Sequence, residues 1–231
     1  MEDAPVCTVC GGSGYVGAQM CECLRELCRQ EQKKELTLLT GAARETFEGF
    51  RLSYYSDQTD PNLGVSPRAV MAGTLQTCRR YAQSFTMKSG NLLLNGNPGL
   101  GKTFLSACIA RTVADGGYSV VYETAVHLFS CLEEAKFTDS QEAKRQAEKY
   151  TACDLLIIDD LGTEMTTQFV SSALYTVLND RLLASSPTVV STNLQSDDIA
   201  RRYSPQIASR LLGSYRLVAF VGQDIRLMQG K

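Results

Sequence analysis

The chain has 231 residues, 44% of them apolar and 21% charged, with a formal net charge of −2. That composition fits one folded domain with a short appendage and excludes a disordered or low-complexity protein. A near-neutral balance gives no global attraction to nucleic acid. No apolar run approaches the roughly 18 residues of a membrane span and no secretory core is present, so a cytoplasmic protein without membrane contact is expected.

Nine cysteines are a high and odd count. Cys28, Cys78, Cys108, Cys131 and Cys153 stand singly and read as small buried hydrophobes. The remaining four open the chain in "CTVCGGSGYVGAQMCEC", where Cys7 and Cys10 form a C-x-x-C and Cys21 and Cys23 a C-x-C. Two close pairs joined by a short loop can close the four-thiolate tetrahedron of structural zinc. Gly11, Gly12 and Gly14 supply the positive φ that a tight knuckle uses. A redox pair needs only one C-x-x-C, placed between a strand and a helix, and that context is missing; free thiols are the other alternative.

Next, Leu24 to Leu39 reads as a charged helix with a thin apolar stripe. "TFEGFRLSYYSDQTDPNLGVSP" is rich in aromatics and then in turn formers, an irregular linker or a strand with its loop. Pro67 to Phe85 starts with proline and carries apolar residues at helical spacing. From Asn91 the runs "NLLLNG", "YSVVYE", "CDLLIIDD", "PTVVST" and "YRLVAFVG" alternate with helical segments, the pattern of a parallel sheet covered on both faces. The division expected is 1–40 for the knuckle and its helix, 41–66 for a linker and 67–231 for an α/β domain.

"GNPGLGKT" (Gly96, Asn97, Pro98, Gly99, Leu100, Gly101, Lys102, Thr103) matches G-x-x-x-x-G-K-T between the strand Leu92–Leu94 and a helix from about Lys102 to Ala114. Its glycines let backbone N–H groups turn toward phosphates, and the helix N-terminus adds its dipole. Lys102 can reach the β- and γ-phosphates of ATP, and the Thr103 hydroxyl can hold Mg²⁺. "LLIIDDLG" places Asp159 and Asp160 at the carboxyl end of a buried strand, where ligands bind in such sheets. Asp159 suits the Mg²⁺ and Asp160 the attacking water. Asn193 ends the strand in "VVSTN", and can orient that water. Arg210 lies in a helix, "QIASRLLG", and Arg226 in "GQDIR"; the absence of N-K-x-D favours adenine over guanine. His127, the sole histidine, reads as structural.

From about Thr46 to Arg226, "TFEGFRLSYYSD", "NLLLNGNPGLGKTFLSACIA", "DLLIIDDLGTE", "STNL", "ASRLLGSY" and "GQDIR" resemble the DnaC/DnaI-type helicase loaders, AAA+ ATPases of the clade shared with DnaA and IstB. The resemblance implies a five-stranded parallel sheet with flanking helices, self-association through a shared ATP site, and delivery of the replicative hexameric helicase onto single-stranded DNA. Carried over by motif, Gly96 to Phe104 and Asp159 hold nucleotide, Thr103 and Asp159 hold magnesium, and Asp160 and Asn193 act on water. The same motifs make Arg210 an arginine finger and Arg226 a sensor-2-like group. Gln206 stands where related chains carry an arginine, which bears on turnover strength. The knuckle becomes the element that grips the helicase. The resemblance also directs DNA to Ala125–Tyr150, with Lys136, Lys144, Arg145 and Lys149; read on its own, that stretch is a solvated amphipathic helix. An IstB-type transposition helper and an ATP-binding adaptor with weak hydrolysis are the alternatives; related IstB chains begin with a helical segment that lacks this cysteine set.

Overall fold

The protein is described by a computed structural model covering residues 7–28, 30, 31 and 45–227. A five-stranded parallel sheet forms its centre, from β3 (Asn91–Gly96), β4 (Val120–Thr124), β5 (Leu155–Leu161), β6 (Thr188–Thr192) and β7 (Tyr215–Phe220). The order across the sheet is β4-β5-β6-β3-β7. The chain leaves β3 for the far edge at β4, returns through β5 and β6, then crosses to the other side of β3. The carboxyl ends of β3, β5 and β6 therefore open on one crest, where connecting loops can converge on a ligand.

Alternation along the strands divides the core. Leu92, Leu94, Leu155, Ile157 and Val189 face α2 (Pro67–Gln83) and α3 (Lys102–Asp115). Leu93, Leu156, Ile158 and Val190 belong to the opposite cluster with α4 (Ala125–Phe137), α5 (Gln141–Ala152), α6 (Gln168–Leu183), α7 (Ser196–Arg202) and α8 (Pro205–Ser214). With both faces covered, the strands are the apolar runs seen in the sequence. The stretch read as one helix before the acidic strand is two, α4 and α5, broken at Ser140, whose side chain caps α5 through the Ala143 amide.

Ser66, Thr124, Thr167 and Ser204 cap α2, α4, α6 and α8 in the same way, each hydroxyl accepting a first-turn N–H. The start of α3 differs: its N-cap is Gly101, left-handed at φ 83°, with no side-chain cap. Its free N–H groups point into the crest. Arg181 of α6 is buried and donates to Tyr150, Cys153 and Pro187 carbonyls and to the Thr188 hydroxyl, tying α6 to α5 and the entry of β6.

The aromatic stretch before α2 forms two 3-10 turns, Phe47–Gly49 and Leu52–Tyr54. Phe47 and Tyr55 are buried in the α2–α3 cluster, and Phe50 stacks on Tyr55 and packs against Phe104 at centroid distances of 5.7 Å. At the front, β1 (Tyr15–Val16) and β2 (Gln19–Met20) make an antiparallel hairpin, followed by helix α1 over residues 22–28. Residues 32–39 of the helix expected there lie outside the described residues. Cys78, Cys108, Cys131 and Cys153 are buried as expected, but Cys28 is exposed on α1. Among the described residues no helix is long and apolar enough to cross a membrane.

Candidate nucleotide site and cysteine cluster

The loop from Gly96 to Thr103 joins β3 to α3. Lys102 begins the helix with its side chain folded back inside the loop, 5% exposed, where Nζ donates to the carbonyls of Gly96 (2.7 Å) and Asn97 (2.9 Å). Burial pulls its pKa below the usual lysine value, against the attraction of Asp160 and Asp159. Two of the ammonium's three protons serve the loop and the third is left for a ligand. Gly99 and Gly101 have φ of 73° and 83°, the left-handed conformation that phosphate-binding loops use to gather backbone amides. Phe104, one residue on, packs beneath Phe50 beside the loop.

Asp159 and Asp160 lie just before the last residue of β5, at the same crest. Asp159 is 2% exposed, and both of its carboxylate oxygens are engaged: Tyr122 Oη donates to Oδ2 at 2.6 Å, and Ser191 Oγ donates to Oδ1. Asp160 is exposed and takes φ 54°, unusual for a residue with a Cβ. Its amide donates to Ser191 Oγ at 2.9 Å. Loss of water around it and the like charge of Asp159 raise its pKa, against Lys102 and Arg226. Glu164 secures the loop that follows, accepting from the Gly162 amide at 3.0 Å and from the Tyr203 hydroxyl. Asn193 is the first residue after β6, exposed on the crest between the acids and the loop.

The last described segment lies along the outer lip of the loop. The Ile225 amide donates to the Gly99 carbonyl at 3.1 Å, and a Cβ on Gly99 would fall 1.8 Å from the Asp224 carboxylate. Arg226 stands there with its charge acting on both Lys102 and Asp160. Arg210 is placed apart. Its guanidinium lies 4.1 Å from the Tyr175 ring centre and donates to the Tyr175 hydroxyl (2.6 Å) and Asn179 Oδ1 (2.9 Å), all on α6. Lys102, Thr103, Asp159, Asp160, Asn193 and Arg226 thus share the crest, while Arg210 is held by α6.

Among the residues expected at DNA, Lys136 lies over the rings of Phe137 and Phe169 at 5.6 and 5.4 Å, and Lys144 pairs with Asp139. His127 Nδ1 meets the buried Glu123 at 2.5 Å, a partnered structural role.

The four N-terminal cysteines converge, with all their sulfurs within 4.8 Å of one another. Cys7 and Cys21 sulfurs are 3.9 Å apart, and Cys10 and Cys23 sulfurs 3.4 Å. A tetrahedron with Zn–S bonds of about 2.3 Å has edges of about 3.8 Å, so the donor set fits such an ion. The amides of Cys10 and Val9 lower the Cys7 thiol's pKa, while the neighbouring Cys10 thiol and loss of water push Cys23 up to about 12, so the crowded sulfurs do not all ionise without a cation among them. Gly14 takes φ 77°, a conformation that favours glycine, and a Cβ there would press on the Leu24 side chain at 2.8 Å.

Sequence reasoning missed Tyr122 and Ser191. The signal was weak: Tyr122 follows two valines in "VVYET" and Ser191 follows two in "TVVST", on the strands that flank the acidic one.

A phosphate loop opening a helix one strand in from the edge of a parallel sheet, with paired acids two strands away, marks the class of P-loop nucleotide-binding proteins. A family model described as IstB-like ATP binding protein matches residues 64–215, and the chain belongs to that family. The replicative helicase loader DnaI of Bacillus subtilis is 31% identical over 52% of this chain and 38% of its own length. An ATP-binding protein assigned to insertion sequence IS21 of Pseudomonas aeruginosa is 24% identical over 63% of this chain and 56% of its own length. The chain thus spans about half or less of these relatives. Of solved structures, the DnaC helicase loader aligns with a TM-score of 0.61 at 18% identity, covering 76% of this chain and 98% of that one. AMPPCP-bound DnaA from Aquifex aeolicus aligns at 0.58 and 18% identity, over 77% of this chain and 50% of that one. At these identities the structures share the fold.

Proposed function

We propose that the protein is a cytoplasmic ATPase that binds the replicative hexameric helicase and delivers it onto single-stranded DNA. The observation that carries this reading is the four-thiolate knuckle at the front of an IstB-like ATP-binding chain. Likeness to DnaI and to the fold of DnaC supports it. Residues 1–40, holding one Zn²⁺ on Cys7, Cys10, Cys21 and Cys23, dock the helicase, and 67–231 bind ATP; the stretch 41–66, expected as a linker, also belongs to that ATP-binding unit from its aromatic turns onward, because Phe47 and Tyr55 are buried in its core.

In the proposed site Gly96 to Phe104 cradle the nucleotide and Lys102 neutralises phosphate charge. Thr103 and Asp159 would hold Mg²⁺, which would supply positive charge against the phosphates. Asp160, aided by Asn193, takes a proton from the water that attacks the γ-phosphorus, and ADP leaves as the bond to its β-phosphate oxygen breaks. Arg226 supports the phosphates from its own chain. Arg210, held by α6 and away from its own loop's partners, completes a neighbouring subunit's site. Lys136, Lys144, Arg145 and Lys149 offer the backbone of single-stranded DNA its positive charge, concentrated when subunits assemble.

The IS21-type relative favours a second reading, a transposition helper with the same site. ATP turnover measured alone, with single-stranded DNA, and with the replicative helicase decides between them. Stimulation by both is expected of a loader; stimulation by DNA but indifference to the helicase favours the helper. No turnover under any condition leaves an ATP-binding adaptor.

A further inference from the structure

β5 lies between β4 and β6, and each neighbour sends one hydroxyl to the same carboxylate. Tyr122 is the third residue of β4 and Ser191 the fourth of β6; both are buried. A hydroxyl within a sheet covered on both faces costs stability unless it finds a partner. Phenylalanine and alanine would fill these places without that cost. Here both hydroxyls spend their protons on Asp159.

Ser191 has a second task. Register between β5 and β6 shifts between Ile158 and Leu161, so the Asp160 amide falls outside the regular ladder. Ser191 Oγ accepts that amide at 2.9 Å. One side chain thus supports both the carboxylate of Asp159 and the left-handed backbone of Asp160, φ 54°.

We propose that Tyr122 and Ser191 are positioning residues for the metal-holding acid: together they lock the Asp159 carboxylate in one orientation, and Ser191 aims Asp160. The inference rests on the nucleotide–metal reading of this crest. Each carboxylate oxygen accepts one hydroxyl and keeps a lone pair free. The clamp therefore leaves the acid able to meet a cation or its water while removing its rotational freedom before the ligand arrives. Because Asp159 carries the hydroxyls' effect, loss of either is felt by the metal and not by the triphosphate itself.

The test uses the full chain and a fluorescent ATP analogue, titrated in EDTA and across a range of Mg²⁺ concentrations, with a melting curve for each protein. For Tyr122→Phe and Ser191→Ala, affinity in EDTA stays at the wild-type value. The Mg²⁺ concentration for half-maximal tightening rises about tenfold, the lower end for a hydrogen bond to a charged group. A purely structural role moves the melting point and leaves the Mg²⁺ requirement alone. Tyr122→Phe keeps the ring and its packing, so it carries the test if Ser191→Ala fails to fold. An unchanged Mg²⁺ requirement in Tyr122→Phe, beside a Mg²⁺-dependent wild type, overturns the inference. A wild type whose affinity ignores Mg²⁺ overturns the nucleotide–metal reading, and the inference with it.

Discussion

Replacing Lys102 by methionine removes a buried charge while keeping most of the stem. The ammonium already sits inside the loop on two carbonyls, at 2.7 and 2.9 Å, so its desolvation is complete before nucleotide arrives. Its remaining proton and its charge then act on the phosphates without rearrangement. One unit-charge pair at about 4 Å, with an effective dielectric of about 20, is worth about 4 kcal/mol. At 1.4 kcal/mol per decade that is about 10³-fold in affinity. Stability moves less, because methionine loses two hydrogen bonds of about 1 kcal/mol each but relieves a buried charge whose pKa burial has pulled down. With about 2–4 °C per kcal/mol for a chain of this size, the melting point shifts by only a few degrees. Calorimetric titration with a non-hydrolysable ATP analogue in Mg²⁺ measures the affinity, and a melting curve checks the fold. A folded Lys102→Met that binds within about tenfold of wild type refutes this account of the loop, since the Coulomb term alone exceeds that.

Asp160→Asn tests the acid pair twice. Turnover falls by about 10²-fold or more, as loss of a positioned base does, while nucleotide still binds. In metal-free buffer the variant is also more stable than wild type at pH 7. The folded-state pKa is raised, so the stability that the neutral form contributes is full below the unfolded value and lost as pH rises through the folded one. Near neutrality wild type therefore carries an ionised, partly desolvated acid that asparagine lacks, and the difference in melting point closes as pH falls into the ordinary carboxylate range. At the other end of the chain, metal analysis finds one zinc per protein purified without chelators. Cys21→Ser lowers that content and abolishes helicase binding, yet ATP affinity is unchanged; a zinc-free wild type contradicts the site.

Much of the fold was legible because its signals are local. Short, mostly apolar strands, a proline-led α2 and G-x-x-x-x-G-K-T each announce themselves within a dozen residues, and the paired acids lie at the carboxyl end of their strand where the sheet opens. What escaped is set by pairing between distant segments. Tyr122 and Ser191 reach Asp159 across 37 and 32 residues of chain, through strand order that no short window reveals. Arg210 was legible as a helical arginine, but its partners Tyr175 and Asn179 come from a different helix. The contact of Asp224 with the loop at Gly99 needs the chain's last described turn to return to β3. Cys28 misled because a lone cysteine looks the same on a buried and an open helix face.

Helicase delivery is measured most directly by retention of the purified replicative hexameric helicase on bead-bound circular single-stranded DNA. The account predicts that helicase becomes DNA-bound only when the full chain, ATP and Mg²⁺ are all present. Retention should be lost with Lys102→Met or with a chain starting at Thr46. Equal helicase retention with and without the protein, or with the Thr46 chain in its place, contradicts it.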